Sequence, residues 1–209
     1  MGRRLAVALL AAVALGLLYF RLLRRPVLTW NATAAEADGH LPGDELLPHP
    51  DGSSTRAISI DAPASAVWPW LAQMGPSPRG GVYTYDWIEN LLGLDIHTVD
   101  YVMPEYQDPQ PGDEIGLGPN VMRIDLVDPG KTLVFRSGDG NWLWSFNLVE
   151  ENGSTRLVSR NRFLLPTIAA KVGILPMEPG SLIMERKMLL GLKERAERLA
   201  AETEDRPRA

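Results

Sequence analysis

The hydrophobic pattern of residues 56–75 changes from a period of two to a helical period. Ile58 and Ile60 alternate with small or polar residues, which is typical of a half-buried strand. Four apolar residues then follow at the spacing of one helical face: Val67, Trp68, Leu71 and Met74. Asp61 stands where a side-chain oxygen caps a helix. The stretch therefore predicts a strand, a tight corner and a helix.

Short strands follow in the second half of the chain, after a second short helix predicted over residues 85–94. Alternating apolar residues and intervening turn residues predict strands at 112–118, 121–127, 132–137, 141–149 and 154–163. Residues 151–154, Glu-Asn-Gly-Ser, are a strong hairpin signal. Successive strands joined by tight turns pair antiparallel, so we expect an antiparallel sheet.

The last predicted element is a long amphipathic helix over residues 181–202. One stripe of it is apolar and contains Leu182, Leu189, Leu192, Ala196 and Leu199. Residues 164–180 are apolar but contain Pro166, Pro176 and Pro179, so we expect a mobile or partly helical cover there. The pattern as a whole predicts an α+β fold.

The amino terminus has the hydropathy of a membrane segment. Residues 5–20 are uninterrupted apolar sequence behind a short basic start, and a snorkelling Arg21 lets Leu22 and Leu23 lengthen the span. We therefore predict a single-pass transmembrane helix and a membrane localisation, with the orientation open. A cleaved signal peptide is the alternative, although no small-x-small cleavage site follows Phe20.

These patterns divide the chain into four parts. Residues 1–25 are predicted to be the anchor, 26–54 a linker and lead-in, 55–201 the folded domain, and 202–209 a disordered tail. His40 and His49 stand beside polar and proline residues in the lead-in, where solvated side chains are more common than metal ligands.

Composition narrows the chemistry. The 209 residues carry a formal net charge of -5, and this mild acidity argues against nucleic acid as a partner. The chain has no cysteine, which excludes disulfides and thiolate catalysis. No phosphate-binding loop, nucleophile elbow or zinc-protease motif occurs in it, and we expect neither a cofactor nor a metal.

The segment IDAPASAVWPWLAQMG (residues 60–75) resembles the START-type, birch-pollen-allergen-like helix-grip superfamily (SRPBCC), in its polyketide cyclase/dehydrase-like branch. YDWIENLLGLDIH (85–97) and LIMERKMLLGLKERAE (182–197) resemble a membrane-anchored, actinobacterial-type subgroup. The resemblance implies a helix-grip fold, in which a curved antiparallel sheet wraps a long carboxy-terminal helix and two short helices close one end.

The resemblance also implies a cavity between sheet and helix for a hydrophobic small molecule or lipid. The residues expected to line it are Trp87, Met122, Ile124, Phe135, Trp142, Trp144, Phe146, Phe163, Met184 and Met188. The same residues would also suit a filled core, and Trp142 and Trp144 are bulky enough to occupy the space themselves.

Three functions stay open from the sequence. The first is a non-enzymatic carrier or sensor of a hydrophobic molecule. The second is an enzyme acting on aromatic or polyketide-like substrates, with His97 or Asn161 as weak catalytic candidates. The third is a protein-interaction module whose cavity is vestigial.

Overall fold

The computed structural model describes residues 2–117 and 120–205. The helices are α1 (Gly2–Leu18), α2 (Arg24–Leu28), α3 (Ala34–Asp38), α4 (Ala64–Ala72), α5 (Asp86–Leu91) and α6 (Ile168–Glu204). The strands are β1 (Gly52–Ile60), β2 (Glu114–Leu117), β3 (Asn120–Asp128), β4 (Thr132–Ser137), β5 (Trp142–Glu151) and β6 (Ser154–Phe163). A π-helical turn, Tyr19–Leu23, joins α1 to α2, and 3₁₀ turns lie at Asp44–Leu46 and Pro104–Tyr106.

The six strands form one antiparallel sheet in the order β1-β6-β5-β4-β3-β2. The first strand therefore lies at one edge of the sheet and pairs with the last strand, β6. Arg56 lies opposite Ser159, and Ile58 lies opposite Leu157. An irregularity between Ile124 and Leu126 shifts the register of β3 against β4. The antiparallel sheet and the long carboxy-terminal helix confirm the predicted α+β architecture.

Helix α6 is longer than the sequence pattern indicates. It begins at Ile168, with the Thr167 hydroxyl accepting a hydrogen bond from the Ala170 amide, and it continues past Pro176 and Pro179. Of the segment expected to be a mobile or partly helical cover, residues 168–180 are thus helical. Each interior proline lacks the amide hydrogen of a helical hydrogen bond, and its ring crowds the preceding turn, so this part of the helix forms against a local cost. The carboxy-terminal half buries an apolar stripe of Met188, Leu189, Leu192 and Ala196 in the main core.

The corner between β1 and α4 is made differently from the prediction. The capping residue is Pro63, and it offers no side-chain cap. Instead, Glu150 of β5 accepts a hydrogen bond from the Ala64 amide at 2.6 Å. A carboxylate at a helix amino terminus also complements the helix dipole, so a distant residue replaces the local cap expected at Asp61.

The predicted transmembrane helix is wrong. Over residues 2–117 and 120–205, no helix combines the length and the apolar character that a membrane crossing requires. Helix α1 has 17 residues. That corresponds to about 26 Å at the usual rise, against a hydrocarbon core of roughly 30 Å. The expected extension through Arg21 lies in the π-helical turn Tyr19–Leu23, which follows α1 directly. The predicted membrane localisation is therefore wrong as well, and the predicted membrane partner and membrane-anchored subgroup find no support.

The lead-in lies against the outer face of the sheet. Leu47 packs with Val134 and Leu143 in a second apolar cluster. Arg160 of β6 donates hydrogen bonds to Asp44 and to the Gly39 carbonyl. Residues 34–47 are thus fixed to the domain by burial and by ion pairing. Of the predicted tail, residues 206–209 lie outside the described residues, and the domain boundaries stay a prediction.

Candidate ligand-binding site

A charged cluster lies inside the fold, between the concave face of the sheet and α6. Its basic member is Arg56, whose side chain is fully buried on β1. Its acidic member is Glu185 of α6, which is only 7% exposed and forms an ion pair with Arg56. Ser159 and Asn161 reach the same carboxylate from β6, with the Ser159 hydroxyl donating at 2.5 Å and the Asn161 amide at 3.3 Å.

The electrostatics of Glu185 are set by opposing effects. Burial raises the pKa of this carboxyl, because desolvation penalises its charged form. The positive charge of Arg56 and the hydrogen bonds donated by Ser159 and Asn161 oppose that rise. Every oxygen of the carboxylate therefore has a protein donor, and the cluster is internally satisfied.

Two tryptophans are tied to this cluster. The Trp144 indole N–H donates to the Ser159 hydroxyl at 2.9 Å, and the Trp142 indole N–H donates to the Asn161 side-chain oxygen at 2.8 Å. The Trp142 ring stacks on Trp144 on one side, at 5.7 Å between centroids, and on Phe163 on the other, at 6.2 Å. This stack occupies the space in which the sequence suggested a ligand.

The room between the tryptophans and the segment after α4 is small. The space there has a volume of about 30 Å³ and is bordered by Met122, Phe135, Trp142 and Trp144 together with residues 74–76, Val82 and Ile115. Such a volume holds a water molecule or two and no organic ligand. Ile124, Phe146 and Met188 are buried in the core around it, and Met184 is partly buried.

Trp87 lies elsewhere. Its side chain is 70% exposed on α5, where Leu91 and Leu92 are exposed as well. The apolar residues of this short helix are therefore exposed to solvent and do not lie between the sheet and α6. The interaction-module alternative stays a prediction, because nothing on this surface identifies a partner.

A much larger cavity lies at the other end of the space between the sheet and α6. It has a volume of about 560 Å³ and lies between the start of β1, the end of β6, α2 and the first half of α6. Its wall is mostly apolar and includes Leu28, Phe163, Leu165, Ile174, Leu175 and Met177. Of the residues predicted to bind a ligand, Phe163 borders this cavity.

The charged groups around the cavity are paired with one another. The Arg24 guanidinium binds the Glu178 carboxylate through two nitrogens, at 2.8 and 3.1 Å, and Tyr19 donates to the same carboxylate at 2.7 Å. On the exposed side, the Lys171 ammonium lies 2.8 Å from Asp51. Two ion pairs thus stand at the edges of an apolar space.

Two serines supply hydroxyl groups to the wall. Ser181 accepts a hydrogen bond from Arg56 at 2.9 Å and donates one to the Glu178 carbonyl, so it connects the cavity to the charged cluster. Ser54 is 5% exposed and faces the cavity from β1. None of the hydrogen bonds found between described residues involves the Ser54 hydroxyl, and its oxygen is not among the fully buried polar atoms that lack a partner.

The two catalytic candidates differ in their surroundings. His97 is 67% exposed in the loop after α5, with its Nε2 3.0 Å from an Asp95 carboxylate oxygen. That position does not suit a base working inside a cavity. Asn161 is buried, but its side-chain oxygen and nitrogen are engaged by Trp142 and Glu185. Within the described ranges, no group of three or more histidine or acidic side chains is placed to hold a metal ion.

The sequence held signals for the charged cluster that the pattern reading missed. Arg56 shares the even parity of Ile58 and Ile60, so it lies on the buried face of β1. Glu185 precedes Met188 by three residues and Leu189 by four, which places it on the buried stripe of α6. A lone charge on each of two apolar faces is the signature of a buried ion pair.

Comparison with known proteins places the chain near several solved structures at low identity. Protein MLL2253 from Mesorhizobium loti is 15% identical, with 70% of this chain and 98% of that one covered and a TM-score of 0.46. The Polyketide_cyc-like protein Cgl2372 from Corynebacterium glutamicum is 13% identical, with coverages of 73% and 91% and a TM-score of 0.37. A Thermobifida fusca protein is 18% identical, with coverages of 70% and 94% and a TM-score of 0.45.

No family model matches the chain, and no curated protein matches it. The likenesses to solved structures are distant, and they assign no activity to this chain. The antiparallel sheet and the long carboxy-terminal helix of this chain are those of the α+β arrangement predicted above.

Proposed function

We propose that this protein binds a hydrophobic small molecule in the 560 Å³ cavity between the sheet edge and the first half of α6, as a carrier or sensor. The observation that supports the proposal is the size and lining of that cavity. Pockets that enclose small molecules have volumes of roughly 300–1,000 Å³ and walls that are mainly apolar. Burial of an apolar guest against such a wall is favourable in proportion to the area removed from water.

Binding without catalysis is the better account of the polar groups. Glu185 and Arg56 form a buried ion pair in the interior, and each is hydrogen-bonded by protein partners. A general acid or base has to reach a proton of the substrate. His97 lies exposed in a loop, and the Asn161 amide is hydrogen-bonded to Trp142 and Glu185, so a proton transfer by either candidate is disfavoured.

The experiment uses two glycines of α6. Gly173 borders the cavity and Gly180 does not, and a β-carbon at either position meets no atom within 4 Å. The β-carbon of Gly173→Leu therefore displaces no neighbour and its side chain takes up part of the cavity, while Gly180→Leu is the matched control. Both substitutions raise helix propensity by about 0.5–1 kcal/mol, so loss of folding does not explain a loss of binding.

Binding is measured with N-phenylnaphthylamine, an uncharged apolar dye, by fluorescence titration of the full chain. We expect Gly173→Leu to lower the affinity for the dye at least tenfold (~1.4 kcal/mol) and Gly180→Leu to leave that affinity unchanged. Equal affinity in the wild type and Gly173→Leu would overturn the assignment of the cavity. No uptake by the wild type, with no small molecule retained in native mass spectrometry, would overturn the proposed function itself.

A further inference from the structure

The charges that border the cavity leave no free cation for an anionic ligand. Arg24 is held by Glu178 through three nitrogen–oxygen contacts of 2.8 to 3.1 Å, and Lys171 is held by Asp51 at 2.8 Å. The described lining residues carry these two positive and two negative charges, which sum to zero. An ionised guest therefore meets a site whose charge is already balanced.

Displacing the inner pair is costly. Glu178 is 5% exposed, so a ligand carboxylate that took Arg24 would leave this buried carboxylate with only the Tyr19 hydroxyl. Removing one partner of a buried ion pair leaves an uncompensated charge in a medium of low dielectric. A neutral guest avoids this exchange.

The wall does offer a neutral anchor. The Ser54 side chain is 5% exposed and borders the cavity, and none of the hydrogen bonds found between described residues involves its hydroxyl. A guest that covers this hydroxyl removes it from solvent, and a ligand donor or acceptor offsets the cost of that desolvation. Its cross-strand neighbour Asn161 forms its hydrogen bonds with Trp142 and Glu185, and none with Ser54.

Resting on the proposed function, we propose that the cavity selects uncharged amphiphiles: molecules with an apolar body and a single hydroxyl or carbonyl group that hydrogen-bonds to Ser54. The two ion pairs at its edges exclude ionised lipids of the same length. The ligand class is thus set by the pairing of the charges that line the cavity, because each is neutralised by its neighbour.

The first test compares dodecanol with dodecanoate, which is ionised near neutral pH. Each compound is titrated into the complex of the wild-type chain with N-phenylnaphthylamine, and the loss of dye fluorescence gives the affinity of the compound. We expect dodecanol to bind at least tenfold more tightly than dodecanoate. Equal affinities, or a preference for dodecanoate, would overturn the inference while the dye titration still supports the cavity.

The second test removes the hydroxyl anchor. Ser54→Ala should weaken dodecanol about threefold to tenfold, the range expected for one neutral hydrogen bond, and should leave the affinity of the dye unchanged. Ser65→Ala, at an exposed serine of α4, is the control and should change neither. An unchanged dodecanol affinity in Ser54→Ala would rule out Ser54 as the anchor.

The third test reverses the charge selection. Glu178→Gln frees the Arg24 guanidinium, so dodecanoate should gain at least tenfold in affinity while dodecanol changes little. Asp51→Asn frees Lys171 at a more exposed position, where solvent screens the charge, and should give a smaller gain. Failure of both variants to improve dodecanoate binding would contradict the charge argument. A wild type that takes up neither ligand nor dye would count against the proposed function instead.

Discussion

Glu36 shows how one residue of the lead-in keeps its charge on folding. Arg156 donates to both carboxylate oxygens at 2.7 and 2.9 Å, and the Thr33 amide donates at 2.7 Å. The hydrogen bonds from Arg156, opposed by desolvation, lower the pKa of Glu36 to about 2. The folded-state pKa lies below the unfolded value, so this stabilisation is present above that value and is lost as the pH falls through the folded pKa.

Glu36→Gln should therefore lower the free energy of unfolding by about 1–2 kcal/mol at pH 7, an amount reduced from the full shift because solvent screens the pair. The difference from the wild type should disappear as the pH falls from about 4.5 toward 2. Glutamine still fills the capping-box position opposite Thr33, so the charge alone is removed.

Urea unfolding at a series of pH values measures this difference. Glu202→Gln, at an exposed residue near the end of α6, is the control and should show no pH-dependent difference. A Glu36→Gln defect that stays constant from pH 7 to pH 3 would mean that the ion pair with Arg156 contributes nothing.

At the scale of elements, β6 fixes the lead-in to the outer face of the sheet through Arg160. Its side chain is 2% exposed and donates to the Thr55 hydroxyl, to the Gly39 carbonyl and to the buried carboxylate of Asp44. The carbonyls of Glu36 and Ala37 also accept hydrogen bonds from it. Much of the backbone of residues 36–44 is thus ordered by one guanidinium.

Arg160→Met should cost about 2–4 kcal/mol, because it leaves Asp44 and several buried carbonyls short of donors. Residues 34–48 should become the first site of cleavage in limited proteolysis. Arg123→Met is the control: Arg123 pairs with Asp125 at a half-exposed position of β3, and its loss should cost less than about 1 kcal/mol. Unchanged protection of residues 34–48 in Arg160→Met would show that apolar packing around Leu47 is sufficient.

The elements most open to prediction were those whose pattern is local. Strand β4 runs from Thr132 to Ser137 and β6 from Ser154 to Phe163, the limits predicted from alternation and turn residues. The start of α6 was not predictable in this way. Pro176 and Pro179 disfavour a helix locally, yet the helix carries on because tertiary contacts, such as that of Glu178 with Arg24, hold it.

The candidate site depended on contacts between distant residues, which a pattern does not give. The inner face of the sheet was predictable from alternation, and Phe135 and Phe146 are buried there. The positions of the indole rings were not, because Trp142 and Trp144 are set by hydrogen bonds to Asn161 and Ser159. The indole rings take up the space that was predicted for a ligand, and the large cavity lies instead beside the first half of α6.

At the scale of the whole molecule, Arg56 of β1 connects the sheet to both α2 and α6. Its guanidinium donates to the Val27 carbonyl at the end of α2, at 3.1 and 3.2 Å, and to Ser181 and Glu185 of α6. The same α2 segment supplies Arg24 and Leu28 to the cavity. One buried ion pair therefore holds together the walls of the proposed binding site.

Breaking that pair should be more damaging than replacing it. Glu185→Ala leaves Arg56 charged and buried without its carboxylate, and we expect a loss of about 3–5 kcal/mol in urea unfolding. The double variant Arg56→Met, Glu185→Met fills the same space with apolar atoms and should recover at least half of that loss. The double variant should also bind N-phenylnaphthylamine more weakly, because it lacks the hydrogen bonds from Arg56 to the Val27 carbonyl that hold α2 against β1. A double variant less stable than Glu185→Ala would show that the ion pair stabilises the fold beyond the cost of burying its charges, and that the grip depends on it.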